Sequence, residues 1–173
     1  MIPKNDFFVI FSFSACLVAL LCAAVLISFS KNSRFSNRLL AFGLIGLGAI
    51  VFTNTLHYTD LFIRFPHLFR ATFPIHYAVP PIFYLYVRSA LFNEAKFRRY
   101  DWILFVPATL HFFEFLPYYI LSTNEKVEIL ESLYKSPSKL ADHSQGLLPP
   151  FVHPLIKSLF GLGCTFFSFK LFI

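Results

Sequence analysis

Apolar stretches of about 20 residues recur along the chain, separated by short segments that hold most of its lysine and arginine. A helix needs about 20 mostly apolar residues to cross a hydrocarbon core about 30 Å thick. Phe7 to Ser30 carries no charge and predicts a first span; Leu39 to Thr59 predicts a second. A third runs from Ile75 to Phe92 and a fourth from Trp102 to Leu121, if Glu114 is accepted inside it. The stretch from Phe151 to Ile173, interrupted by Lys157 and Lys170, predicts a fifth. Segments such as Leu44 to Val51 are apolar all round rather than alternating, which excludes transmembrane strands. Backbone groups in lipid must then be paired within helices. The fold class is therefore all-α, an integral membrane bundle of about five helices.

The first apolar run exceeds the 7–15 residues or so of a signal peptide, and Lys31, Arg34 and Arg38 follow it where only Lys4 precedes it. That is the flank of a retained span. Lys31, Arg34 and Arg38 in the first loop lie on the same side as Arg88, Lys96, Arg98 and Arg99 in the third. Basic residues number seven on that side and six on the other. The long outer loop offsets its lysines with acids, so net charge is about +5 against zero. Short basic loops stay in the cytoplasm, which places the N-terminus outside.

Two outer loops are candidate sensing surfaces. Thr59 to Pro74 mixes Phe62, Phe65, Phe69 and Phe73 with Arg64 and Arg70, which suits a segment at headgroup depth. The loop 122–150 opens with Ser122 and Glu125 at capping-box spacing, followed by Val127, Leu130, Leu133 and Tyr134 on one helical face. A short amphipathic helix over Thr123 to Lys135 is expected there, ended by Ser136-Pro137. Ser138 to Pro150 reads as loop.

Composition sharpens this picture. Of 173 residues 57% are hydrophobic and only 14% charged, with 25 phenylalanines. A soluble domain carries about 25% charged residues. Intrinsic disorder, collagen-like fibres, disulfide scaffolds and most soluble enzymes are excluded. Cys16, Cys22 and Cys164 all fall inside predicted spans, as small packing residues without metal-site spacing.

Polar groups within the spans are the candidate chemistry, because they are costly in lipid and normally face a bundle interior. His111 and Glu114 are three apart on one face of the fourth span; Asn54 and His57 stand likewise in the second, and His76 begins the third beside Tyr77. Together they could form a ligand or switch cluster between helices. His57 and His76, near helix ends, are equally read as hydrated groups. Glu114 sits among Phe112, Phe113, Phe115 and Leu116, so it is expected to be neutral or paired, with His111 or with a group on another helix. Two such residues do not make a metal site, which needs three or four ligands. No metal or cofactor is expected. Pro80, Pro81, Pro107 and Pro117 are hinge candidates, or simply make room for neighbouring side chains. Gly43, Gly46 and Gly48 offer close helix packing. No nucleophile–base pair, Walker sequence or dinucleotide fingerprint is present, so an enzyme is not expected.

Three segments occur in a telling order: Asn37-Arg38-Leu39-Leu40-Ala41-Phe42, Arg64-Phe65-Pro66-His67-Leu68-Phe69, and Pro81-Ile82-Phe83-Tyr84-Leu85-Tyr86-Val87-Arg88-Ser89. Lys96-Phe97-Arg98-Arg99 and His111-Phe112-Phe113-Glu114-Phe115-Leu116-Pro117-Tyr118-Tyr119 follow. The set resembles the N-terminal membrane region of AraC-type transcription regulators of Bacteroidetes-like bacteria. The resemblance implies about seven helices and a cytoplasmic domain with two helix-turn-helix units. Since the chain stops at Ile173 inside an apolar run, it is expected to be a sensor region cut before that domain. The implied partners are the lipid bilayer of the bacterial inner membrane and a signal ligand or membrane partner. DNA is reached only through the missing domain, and a homodimer is expected. The input module of a membrane histidine kinase, or a small transporter or channel component, are the rival readings.

Overall fold

The computed structural model describes residues 6–29, 34–136, 148–149 and 152–173. Lys31 and most of the expected loop 138–150 lie outside them. Every regular element among the described residues is helical. α1 (Asp6–Phe29) and α2 (Arg34–Tyr58) are followed by two 3₁₀ turns (Leu61–Ile63 and Pro66–Leu68) and by α3 (Phe73–Phe92). A 3₁₀ turn (Asp101–Phe105) then leads into α4 (Val106–Glu114) and α5 (Leu116–Tyr119). Next come α6 (Thr123–Lys135) and α7 (Val152–Lys170). Helix α3 is central: α2, which carries α1 on its other side, packs on α3, as do α4 and α7.

Three helices, α1, α2 and α7, are long and apolar enough to cross a membrane. The side chains of α1 and α7 are sorted as lipid demands. In α1 the buried residues are Ser12, Cys16 and Ala23, while Phe7, Phe11, Leu17 and Leu21 point outward. In α7 the buried residue is Cys164, and Leu159, Leu162, Phe166 and Phe169 face out. A water-soluble protein would reverse this order; small residues inside and large apolar ones outside belong to a bundle surrounded by lipid. The protein is thus built for membrane association. Cys22 joins the outward set, so it does not serve the packing expected of it.

Close packing centres on two glycines. A Cβ on Gly46 would stand 2.7 Å from Val79 Cγ2, and one on Gly43 would stand 2.9 Å from the Phe83 ring. Both are closer than carbon atoms tolerate, so α2 and α3 meet only because these side chains are absent. Gly48 faces α1, where a Cβ would rest an ordinary 3.5 Å from Ala19 Cβ. Gly46→Ala is therefore expected to destabilise the bundle by about 1–3 kcal/mol, since stiff, branched Val79 cannot swing aside. Gly48→Ala should change little. Thermal unfolding in detergent, followed by circular dichroism, checks both.

The stretch from Trp102 to Leu121 departs from the continuous span expected of it. It holds α4, nine residues long, a break at Phe115 with φ −88° and ψ 2°, and the short α5. Pro117 gives the reason. It has no N–H for the Phe113 carbonyl, and its ring crowds that carbonyl, so the helix cannot run through. Pro107 and Pro117 accordingly sit in the first turns of α4 and α5, where a missing N–H costs nothing. Pro80 and Pro81 lie inside α3, which runs through both.

Helix α6 opens with a full capping box: Ser122 N donates to Glu125 Oε2 at 2.8 Å, and Glu125 N donates to Ser122 Oγ at 3.4 Å. The Ser122 hydroxyl and backbone hydrogen bonds hold the Glu125 carboxyl below its usual range. Leu130 and Leu133 of α6 pack on Leu56, Phe62, Phe69 and Tyr118 as one core cluster. Phe62 and Phe69 are therefore tucked beneath α6, whereas Phe65 of the same segment stays exposed.

Candidate functional site

Glu114 is the last residue of α4, next to the break at Phe115. This placement, at the junction of α4 with α3 and α7, lets one carboxylate reach several elements. Its Oε2 lies 3.3 Å from His111 Nδ1, one turn back on the same helix. Its Oε1 lies 3.3 Å from His153 Nε2 in the first turn of α7, and accepts a hydrogen bond from the Leu148 N–H at 2.9 Å. The side chains of His111, Glu114 and His153 are 6%, 10% and 19% exposed. A largely buried carboxylate therefore joins two imidazoles from different helices.

Helix α3 supplies the floor. The Tyr77 ring lies 4.7 Å from that of His111, and its hydroxyl donates to the His153 carbonyl at 3.1 Å. Phe115 packs edge-on against His111 at 4.7 Å, and His153 stands 4.9 Å from it. Tyr77 is held by burial in α3, so α7 is fixed both through its backbone and through its histidine ring.

Arg70 forms the neighbouring layer. It is buried, has a left-handed φ of 63° that a non-glycine residue rarely adopts, and places its guanidinium 5.3–5.7 Å from the rings of Phe69, Phe73, Phe115 and Tyr118. Tyr119 donates its hydroxyl to the Arg70 carbonyl at 3.1 Å. The aromatic faces surround the cation with their negative quadrupoles. Phe73 and Phe115 contact both Arg70 and His111, which couples the two layers.

Of the remaining polar candidates, His76 borders the cluster through Phe73, while Asn54 and His57 lie apart from it. His76 is half-buried, with Nδ1 2.9 Å from the Thr72 carbonyl oxygen one turn back. His57 stacks at 5.8 Å on Tyr134 of α6, and Asn54 is exposed on α2. The structure thus brings His111, Glu114 and Tyr77 together, adds His153, and leaves Asn54 and His57 elsewhere. His153 is hard to single out in the sequence, because it sits beside Pro154 at the edge of an apolar run whose lysines are the more conspicuous polar groups. Its being the one histidine of that run was the signal available.

Lys96, Arg98 and Arg99 are exposed in the loop after α3, whereas Arg34 and Arg38, expected in the first loop, are exposed at the start of α2. Arg88 is buried instead and holds Asp101 and Glu94. A separate cleft of about 520 Å³ lies between α2, α3 and α7, lined by Leu47, Val79, Pro80, Phe83, Cys164 and Phe169 among others. It is almost wholly apolar and none of the polar cluster lines it. Comparison with family models, with curated proteins and with solved structures finds no match.

Proposed function

We propose that the chain is the membrane-embedded sensing region of a one-component transcription regulator of the AraC type. On this reading it lies in the bacterial inner membrane, and any DNA binding is carried by a cytoplasmic segment beyond these residues. The observation that carries the reading is the Glu114 carboxylate at the broken end of α4, shared by His111 on its own helix and His153 on α7. An ionisable side chain buried within a membrane span is retained where it has work to do. Here it ties α7 to α4 across α3, so anything that alters the cluster alters how α7 is seated. A signal shifts such a bundle only if it favours one packing over another by a few kcal/mol.

The basic loops favour an N-terminus outside, with five crossings of which the fourth is the broken α4–α5 stretch. In that arrangement His76 and Tyr77 at the start of α3 and His153 at the start of α7 lie toward the outer face. The cluster is then within reach of a signal arriving from outside, with α6 beside the same end. A homodimer fits a regulator of this type.

The test is the transcript profile of a strain whose chromosomal gene carries Glu114→Gln. A defined set of genes should change level, and the gene's reading frame should encode two helix-turn-helix units beyond Ile173. Unchanged transcripts overturn the proposal. A frame that instead encodes a phosphoacceptor histidine and an ATP-binding region, or lost solute uptake with unchanged transcripts, assigns the chain to a kinase or a transporter.

A further inference from the structure

We propose that His111 Nδ1, the Glu114 carboxylate and His153 Nε2 bind one divalent first-row transition-metal ion, leaving a fourth position for water or an incoming ligand. This names the ligand of the sensing site and rests on that reading for its use, though not for its chemistry.

Two imidazole nitrogens and a carboxylate oxygen are the ligands that zinc and its neighbours take, and three protein ligands with one open position recur at reactive or exchangeable sites. His111 and Glu114 are spaced three apart, as carboxylate and histidine ligands are when one helix presents both to a bundle core.

The distances agree. With metal–ligand bonds of about 2.0–2.1 Å, tetrahedral geometry sets neighbouring ligand atoms about 3.3 Å apart. Both histidine nitrogens lie at 3.3 Å from their carboxylate oxygens. That is long for a charge-assisted hydrogen bond, which closes to about 2.7–2.9 Å. One ligand atom from each residue can be chosen so that all three fall within 4.8 Å of one another. Shortening the longest edge by up to about 1.5 Å, within reach of ring rotation, would complete a tetrahedral face with edges near 3.3 Å.

The surroundings agree too. The Leu148 N–H at 2.9 Å and the Tyr77 hydroxyl on the His153 carbonyl orient two of the three ligand residues from outside the cluster. Such outer contacts are what hold metal ligands in place. Electrostatics favours occupancy, because a dication replaces the hydration that a buried carboxylate loses. His76, which shares the Phe73 ring with His111, lies nearby but is not among the ligand atoms.

The experiment uses the full chain in detergent, stripped by chelator and titrated with Zn²⁺ by calorimetry and with Co²⁺ by visible absorption. One ion per chain should bind, and Co²⁺ should give the strong visible bands of a four-coordinate site. His153→Ala and Glu114→Gln should each weaken binding by at least about tenfold, the least that loss of an inner ligand costs when outer ones cost 10–100-fold. The other histidines serve as controls: His57→Ala and His67→Ala should leave binding unchanged. If the ligand variants fail to fold, X-ray absorption on the zinc-loaded wild-type chain decides instead, with two imidazoles and oxygen expected in the inner shell. No stoichiometric binding, or binding that survives in folded His153→Ala, overturns the metal site. Metal binding with unchanged transcripts in the Glu114→Gln strain overturns the sensing reading alone, and changed transcripts without metal binding overturn the metal alone.

Discussion

Arg88→Ala is expected to destabilise the folded chain by about 3–5 kcal/mol, the cost of leaving buried acids without their cation. Arg88 donates from Nη1 and Nη2 to the two oxygens of Asp101, at 2.8 and 2.6 Å, and from Nε to Glu94 at 2.9 Å. The side chains of Arg88 and Asp101 are 7% and 6% exposed, so solvent does little to screen the pair. Asp101 also accepts the Arg98 N–H at 2.7 Å, and the Arg98 guanidinium pairs with Glu94. The chain is folded back for this purpose: Asn93 takes a left-handed φ of 50° and donates to the Ser89 carbonyl, and Glu94 N donates to the same oxygen at 3.1 Å. One side chain thus fixes the end of α3 to the entry of α4.

Removing both partners should hurt less than removing one. Arg88→Leu with Asp101→Leu leaves no buried Asp101 charge, and such replacements are often neutral or stabilising. Acid supplies a second reading of the same bridge. The hydrogen bonds from Arg88 hold the Asp101 carboxyl below its usual range. The stabilisation they confer is present in full above the ordinary carboxyl value of about 4, and is lost as pH falls through the lower, folded value. Stability should therefore rise with pH across that acidic window in the wild type, and more weakly in Arg88→Ala. Chemical unfolding in detergent across pH 2–6 or so covers the window on both sides.

This network also separates what the sequence makes legible from what it does not. Long apolar runs locate α1, α2, α3 and α7 because hydropathy is a local property of the chain. The capping box at Ser122 and Glu125 marks the start of α6 for the same reason. Pairing is not local. Counting Arg88 with Lys96 and Arg99 treats all three as loop charges, although Arg88 is buried with acids six and thirteen residues away. His153 is 42 positions from His111 in the numbering, and only the seating of α7 on α3 brings the rings to 4.9 Å. The break at Phe115 is intermediate, since Pro117 announces it, but hydropathy alone runs straight across.

Lys126→Met is expected to loosen α6 by about 2–3 kcal/mol, the scale for hydrogen bonds made by a charged group and then left unpaired in a buried site. Lys126 is 2% exposed, as few lysines are. Its Nζ donates to the Tyr119 carbonyl at 2.8 Å, lies 3.0 Å from His67 Nδ1, and stands 5.5 Å over the Tyr118 ring. A lysine ammonium only donates, so His67 must accept at Nδ1 and carry its proton on Nε2. That nitrogen faces Thr123 Oγ1 at 3.1 Å, which then accepts, and the ring links two points of α6 to the turn Pro66–Leu68. Methionine keeps the stem's volume but leaves the Tyr119 carbonyl and His67 Nδ1 without this donor. The apolar half of the contact, Leu130 and Leu133 on Phe62 and Phe69, stays in place. Opening should thus be confined to one element: amide hydrogen exchange should quicken across Thr123–Lys135 and the turns at 61–68, while α2 and α3 keep their protection. Thr123→Val, which removes only the outer link, should have a smaller effect in the same direction. Uniform loss of protection in Lys126→Met would instead make this lysine part of the global core, and equal effects of the two variants would make His67 the true clamp.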